Sequence, residues 1–337
     1  MEIRVLFAAV LALGLGFALA FPAIRLAKTF GFIDVPTDDR RMHVIPTPRI
    51  GGVAVFVSFV IALAVSGYFV EALPYLCGGL VVVAVGMIDD KRGVTPMFKI
   101  AGQAIAAAVL CAFGVTAQFV TVFGVTLDLW LFAYPMTLAV IIVATNIVNL
   151  IDGVDGLCTG LAIFISGAIA VLYSVFGDGT LAPIALMLCL AALGFLPHNA
   201  NPAKAFLGDA GSMLFGFLLA AFSIELFLSA PALDGWTFSA LTPIALFGIP
   251  LFDTSFAIVR RKLNGQRLFE GDKKHVHHRM TGRYGVRGGV ALMYVGQIVL
   301  VGIAFVLNLG LIGEIIGAIL LMLSLVYAIV RFGIYKK

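Results

Sequence analysis

The sequence predicts an all-α integral membrane protein, and three observations predict it. Sixty-one per cent of the 337 residues are hydrophobic and twelve per cent charged, with a mean hydropathy of +1.10, far from the balance of a soluble domain. Apolar runs of about 17 to 25 residues recur end to end, the length that a hydrocarbon core demands of a helix. The polar remainder is too small for a separate folded unit, so residues 1–337 read as a single polytopic membrane domain.

In chain order the spans are 3–25, 50–69, 72–88, 98–115, 130–148, 157–176, 181–197, 210–229, 238–260, 289–309 and 312–331, which makes eleven, or ten to eleven with the short 73–88 stretch in mind. Residues 5–21, ending in small residues, imitate a secretory signal. However, Glu2 offsets Arg4, while Arg25 and Lys28 follow the run, which fits a first span with its N-terminus outside. Pro22, Pro74, Pro243 and Pro250 are expected to kink their helices, as membranes tolerate where neighbours satisfy the freed backbone. The inner loops are then 26–49, 89–97, 149–156, 198–209, 261–288 and the C-terminal tail. They and the adjoining helix ends hold 21 of the 22 Lys and Arg residues, leaving Arg4 outside. By the positive-inside rule this face and the C-terminus are cytoplasmic. All five histidines and eleven of the eighteen acids fall on the same side, so the chemistry belongs there. Cys77, Cys111, Cys158 and Cys189 stand singly in apolar segments with no CxxC spacing, as small core residues do.

The chemistry starts from residues 141–157, IIVATNIVNLIDGVDGL, where an apolar run ends in Asn149, Asp152 and Asp155 threaded with Gly153 and Gly156. Ionisable residues set against membrane sequence are costly and therefore mark function. Asn149 and Asp152 share one helix face. Three further acidic clusters end or begin spans on the inner side: Asp89 and Asp90 in GMIDDKR, Asp209 in FLGDAGSMLFG, and Asp253 in GIPLFDT. Adjacent helical residues point about 100° apart, so one of Asp89 and Asp90 faces a shared centre squarely. The plain alternative for each acid is a helix cap or a loop ion pair, and Asp209 is well placed to cap. Four such clusters on one face favour hard oxygen ligation of Mg²⁺ or Mn²⁺ over zinc. Between Arg260 and Arg287 nine cations face Glu270 and Asp272, a formal +7 before the histidine run His275, His277 and His278 is counted. Attraction to anionic lipid explains a basic loop, and HVHH alone lacks the second ligand pair of a zinc site. Carboxylates, cations and histidines together are the parts of phosphoryl transfer. PTPRIGG (46–52) reads as a rigid turn into the second span, Lys99 as a cation free to snorkel, and His43 and His198 as loop histidines.

Six motifs in order, PTPRIGG (46–52), DDKRG (89–93) with Lys99, NLIDGVDGL (149–157), NANPAKAFLGDAGS (199–212), GIPLFDT (248–254) and HVHHRM (275–280), resemble the polyprenyl-phosphate N-acetylhexosamine-1-phosphate transferases. That resemblance, to glycosyltransferase family 4, covers nearly the whole chain. It implies a Mg²⁺-dependent phosphotransferase (Mn²⁺ substituting) of the bacterial inner membrane, multi-pass, with its cleft on the cytoplasmic face. The implied reaction moves a sugar 1-phosphate from a UDP-sugar to undecaprenyl phosphate and releases UMP. Carried over by motif, Asp209 is a metal ligand with Asp152, and Asp89 or Asp90 acts on the acceptor phosphate. Asn149, Asp152 and Asp155 line the nucleotide and metal pocket, and Phe206 stacks on uracil. His275, His277, His278 and Arg279 hold the diphosphate or sugar, and Lys99 an anionic group. The sequence HVHHR, in place of three consecutive histidines, is similar to the UDP-N-acetylglucosamine branch, which starts O-antigen lipopolysaccharide, common antigen or teichoic acid synthesis. Other UDP-N-acetylhexosamines and UDP-MurNAc-pentapeptide are the alternatives. No nucleic acid is expected, and as in many relatives a homodimer is.

The rival class is an ion-coupled secondary transporter, which would place its site near the midplane between repeated halves. Here the acids gather at one interface, and Glu225 and Asp253 are the acids set inside spans. A non-catalytic membrane scaffold is the third class.

Overall fold

The computed structural model describes residues 3–34, 46–176, 179–228, 238–265 and 275–332. The features expected at His43, Arg267, Glu270, Asp272, Lys273 and Lys274 lie outside the described residues. Helices dominate: α1 (Ile3–Ala18), α2 (Ala20–Phe30), α3 (Gly51–Ser66), α4 (Leu73–Arg92), α5 (Pro96–Ala112), α6 (Ala133–Ile151), α7 (Leu157–Phe176), α8 (Leu181–Asn199), α9 (Gly208–Leu228), α10 (Thr242–Leu246), α11 (Gly248–Leu263), α12 (Val276–Val306) and α13 (Gly310–Phe332). With α1 joined to α2 and α10 to α11, these are eleven helical stretches standing where eleven spans are expected. Among the described residues, eight stretches are long and apolar enough on their own to cross a membrane. The chain is thus a multi-pass, essentially all-α membrane protein. Its additions are two small antiparallel pairs, β1 (Ile33–Asp34) with β2 (Thr47–Pro48) and β3 (Phe119–Val122) with β4 (Val125–Asp128). The β3–β4 turn uses Phe123 and Gly124, both at positive φ, the backbone that a two-residue hairpin demands.

The central element is α9. Its sequence is apolar all round, as a helix with protein on every side should be, and it is buried along nearly its whole length. α3, α4, α6 and α7 pack around it, α5 fills in beside α4 and α6, and α1 with α8 forms the flank beyond α3. Small residues let backbones meet. A Cβ at Gly52 would stand 2.2 Å from the Gly211 nitrogen, and one at Gly86 2.4 Å from Ala210 Cα. Close approach of this kind, with little help from hydrophobicity, is how helices associate in lipid. α13 is the opposite case, mostly exposed along its length, and an apolar cavity of about 690 Å³ separates parts of α11, α12 and α13.

The structure corrects several expectations. Of the four prolines expected to kink their helices, Pro22 and Pro250 follow breaks in their spans, α1 ending at Ala18 and α10 at Leu246, each four residues earlier. Pro74 and Pro243, in contrast, are the second residues of α4 and α10, where the missing N–H is not needed. The stretch 73–88 is not short, because α4 continues through Asp89 and Asp90 to Arg92. The ninth span is divided at Phe247 into α10 and α11. The tenth begins thirteen residues early, at Val276, and bends at Gly285, whose φ is +74°. The early start carries the HVHH motif onto a helix N-terminus.

Candidate active site

Lys99, in the first turn of α5, is the hub. Thr95 and Pro96 start that helix, the Thr95 hydroxyl accepting from the Phe98 amide. Lys99 then reaches inward, donating to Asp89 Oδ2 at 2.8 Å, Asp209 Oδ2 at 2.8 Å and Asn149 Oδ1 at 3.2 Å. An ammonium has three N–H bonds and no acceptor, so one cation ties α4, α5, α6 and α9 together. Asn149 completes the junction by donating from Nδ2 to Asp209 Oδ1 at 2.9 Å and Ser212 Oγ at 2.8 Å. Lys99 is therefore an ion-paired residue turned inward and not a snorkelling one.

Asp89 and Asp90 face the same region but do different things. Asp89 accepts from Lys99 and from the Val94 amide at 2.7 Å. Asp90 Oδ1 accepts from the Asp209 amide at 2.9 Å and its Oδ2 from the Ala210 amide at 3.1 Å. The amides that open a helix lack partners within it, and Asp90 supplies them from α4. So the cap on α9 is Asp90, while the Asp209 side chain points to Lys99 and Asn149. Gly208 gives Asp90 room, since a Cβ there would lie 2.7 Å from Asp90 Oδ2.

Asp152 closes α6 as its C-cap residue. Burial pushes its carboxyl well above the usual range, and the charges of Asp209 and Asp90 push it further, against the relief that Arg49 provides. Arg49 itself pairs with Asp34 at 2.6 Å. Asp89, Asp90, Asp152 and Asp209 thus gather carboxyl oxygens in one region, with Asp89 and Asp209 on a single ammonium. Oxygen donors in excess of cations are the environment that hard divalent ions take.

Asp155 is not part of this group. Its Oδ2 accepts from Asn201 Nδ2 at 2.9 Å and from the Ala203 amide at 3.1 Å, bracing the 199–205 loop, to which Arg287 also donates. Phe206, half-buried, sits three residues before Asp209. Its amide donates to Pro48 O and its carbonyl accepts from the Gly51 amide. PTPRIGG is therefore the strip that runs along 206–207 and sets Phe206 beside the junction. His198 is no loop residue but a buried one, bonded to Phe17 O at 3.0 Å.

The histidine motif forms the other wall. Asp253 Oδ2 lies 2.8 Å from His275 Nδ1 and 2.9 Å from His277 Nδ1, and Asp253 Oδ1 accepts from the His277 amide at 3.0 Å. All three residues are buried. The rings of His277 and His278 pack at 4.2 Å, and both press on Gly153, where a Cβ would meet His277 Nε2 at 3.0 Å and His278 Cε1 at 3.3 Å. That contact brings HVHHR against the NLIDGVDGL turn. Arg279 is exposed. Among the described residues the group of three ligating side chains mutually within 4.8 Å is Asp253, His275 and His277, a placement that the HVHH spacing alone did not reveal. Two residues went unread as parts of the site. Ser212 was signalled only by its place three residues after Asp209, on the same helix face, and Asp253 was seen as an acidic cluster without its histidine partners.

The glycosyl transferase family 4 model matches residues 72–227, from α4 through α9. The chain is 35% identical over 260 residues to a probable undecaprenyl-phosphate N-acetylglucosaminyl 1-phosphate transferase of Bacillus subtilis, covering 76% of this chain and 71% of that protein. It is 37% identical over 290 residues to a decaprenyl-phosphate N-acetylglucosaminephosphotransferase of Mycobacterium tuberculosis, covering 77% and 71%. It is 29% identical over 268 residues to the undecaprenyl-phosphate alpha-N-acetylglucosaminyl 1-phosphate transferase of Escherichia coli, again covering 77% and 71%. The junction residues on α4, α5, α6 and α9 all lie inside the matched segment, and the chain belongs to glycosyl transferase family 4, in the branch that these transferases represent.

Proposed function

We propose that the protein transfers N-acetylglucosamine 1-phosphate from UDP-N-acetylglucosamine to undecaprenyl phosphate, giving undecaprenyl-diphospho-N-acetylglucosamine and UMP. The observation that carries this reading is the Lys99 junction, where Asp89, Asn149 and Asp209 converge in a chain whose relatives bear the names of that reaction. The names lend no support to a transporter or a scaffold.

An oxygen of the acceptor phosphate bonds to the phosphorus that carries the sugar, and the bond from that phosphorus to the oxygen of UMP breaks. Such transfers depend on positioning and charge stabilisation more than on covalent help from the protein. Asp209 and Asp152, with Asn149 beside them, would hold Mg²⁺, or Mn²⁺ in its place, and the ion would supply neutralisation of diphosphate charge. Lys99 fixes the Asp209 carboxylate, and Asp90 fixes the start of the helix that bears it. Asp89, whose Oδ2 accepts from Lys99 and whose Oδ1 accepts from the Val94 amide, is the carboxylate offered to the acceptor. A phosphate monoester is already largely dianionic at neutral pH, its second pKa being about 6, so this carboxylate has little proton to remove. Phe206 offers a ring to the uracil.

The same reading makes all eleven helical stretches spans, with the N-terminus outside and the site at the cytoplasmic face of a bacterial inner membrane. The support is the placing of 21 of 22 Lys and Arg residues. The test is mass spectrometry of the lipid product from purified protein, undecaprenyl phosphate, Mg²⁺ and a panel of UDP-sugars. The expected result is a diphospho-linked N-acetylhexosamine from UDP-N-acetylglucosamine, with UMP in equal amount. Preference for another sugar overturns the donor assignment, and absence of any lipid-linked product from folded protein overturns the reaction.

A further inference from the structure

We propose that Asp253 is a positioning residue that acts through His277, and that HVHHR divides into two inward histidines that hold the motif and an outward pair, His278 and Arg279, that meets the donor. The proposal rests on the transferase reading and deepens it.

A carboxylate has no proton to give, so the short contacts from Asp253 Oδ2 to His275 Nδ1 and His277 Nδ1 put a proton on each Nδ1. The other oxygen takes the His277 amide, the second amide of α12, which His275 at the N-cap leaves without a side-chain cap. One side chain on α11 therefore sets the start of α12, the tautomer of two imidazoles and the tilt of the His277 ring. That ring is committed on its far side as well. His277 Nε2 is buried without a hydrogen-bond partner among the described residues and faces Gly153 across 3.0 Å of Cβ space. A nitrogen so covered is in position to set the distance between α12 and the turn that follows Asp152, and not to receive a phosphate. His275 is buried behind it. His278 is half-buried and Arg279 exposed, so donor contact falls to them. A buried unsatisfied nitrogen is destabilising, a cost that ordinary packing would remove and that a required spacing explains.

The experiment is a set of double-mutant cycles on the full-length enzyme, read as kcat and KM for whichever UDP-sugar the wild type accepts. Wild-type inactivity with UDP-N-acetylglucosamine but activity with another sugar strikes the donor assignment alone and leaves these cycles readable. Asp253→Asn is expected to lower kcat by roughly 10- to 100-fold, the range for removing a group that orients a functional histidine, and Asp253→Glu to recover part of it. In a His277→Ala background Asp253→Asn should cost several-fold less than in the wild type, what remains coming from the His275 contact and the helix start, whereas in a His278→Ala background its full cost should persist. His278→Ala and Arg279→Ala should raise the KM for donor more than they lower kcat. Should Asp253→Asn fail to fold, Gly153→Ala intrudes on His277 Nε2 from the other side without touching the Asp253 hydrogen bonds. It should lower kcat in the wild type and cost clearly less in His277→Ala, where only the looser 3.3 Å contact with His278 Cε1 remains. Multiplying costs in the His277→Ala background, or full activity in Asp253→Asn, would overturn the proposal. So would stoichiometric zinc in the wild type that is lost in Asp253→Asn, because the three atoms would then be metal ligands.

Discussion

The two walls of the cleft are built on different physics. On one, α3, α4 and α6 meet α9 backbone to backbone through Gly52, Gly86 and Gly216, and a single ammonium binds three helices to the fourth. On the other, a carboxylate holds two imidazoles at a helix start, with an apolar cavity of about 690 Å³ behind it. The first wall has no slack: a packed interior cannot move one helix without moving its neighbours. The second is fixed locally at Asp253 and loosely elsewhere. The proposed metal and phosphate chemistry needs fixed oxygens, which the first wall offers, while the proposed donor, which must enter and leave, is better met by the second.

The most severe break in that contrast is Asp209→Asn. The amide keeps the size but gives Lys99 and Asn149 a poorer acceptor and removes a charge from the set proposed to hold Mg²⁺. Removal of one preorganised electrostatic group costs about 10²–10³ in rate, and with metal affinity also lowered the loss should reach at least the upper end. Turnover at saturating Mg²⁺ checks it. A loss under tenfold would mean that Asp209 serves the fold and not the reaction.

Gly86→Ala tests the packing half of the contrast. The new methyl would sit 2.4 Å from Ala210 Cα, so α4 and α9 must part, and overpacking of this kind costs about 1–3 kcal/mol. Because Asp90 caps α9 at the same contact, activity should fall together with the thermal midpoint in detergent. Unchanged activity in a destabilised protein would separate packing from site geometry.

Much of this wall was legible in the sequence because membrane burial makes polar residues rare and therefore informative. Asn149, Asp152, Asp89, Asp90 and Asp209 each stand out against apolar runs, and the structure brings them to one end of the bundle. What was not legible depends on direction. Spacing places Asp155 one step beyond Asp152, yet a turn at Gly153 sends it to Asn201 and Ala203. Adjacency makes Asp89 and Asp90 look alike, whereas the approach of α9 turns one into a helix cap. Asp253 lies 22 residues from His275, and no periodicity connects positions on separate helices.

The smallest effect is expected on the loose side, at Gly296→Ala. The added methyl there meets only Ile249 Cδ1, at 3.3 Å, the end of a flexible side chain that borders the cavity along with Gly296 itself. The isoleucine can swing into open space, so no backbone has to shift. Alanine in place of a mid-helix glycine is favourable by up to about 1 kcal/mol. The thermal midpoint should hold or rise slightly, and kcat should stay within about twofold, surface-like behaviour for a residue inside the protein. A loss here as large as that of Gly86→Ala would show that α11 and α12 are held as tightly as α4 and α9, and the distinction between a fixed and an adjustable wall would fall.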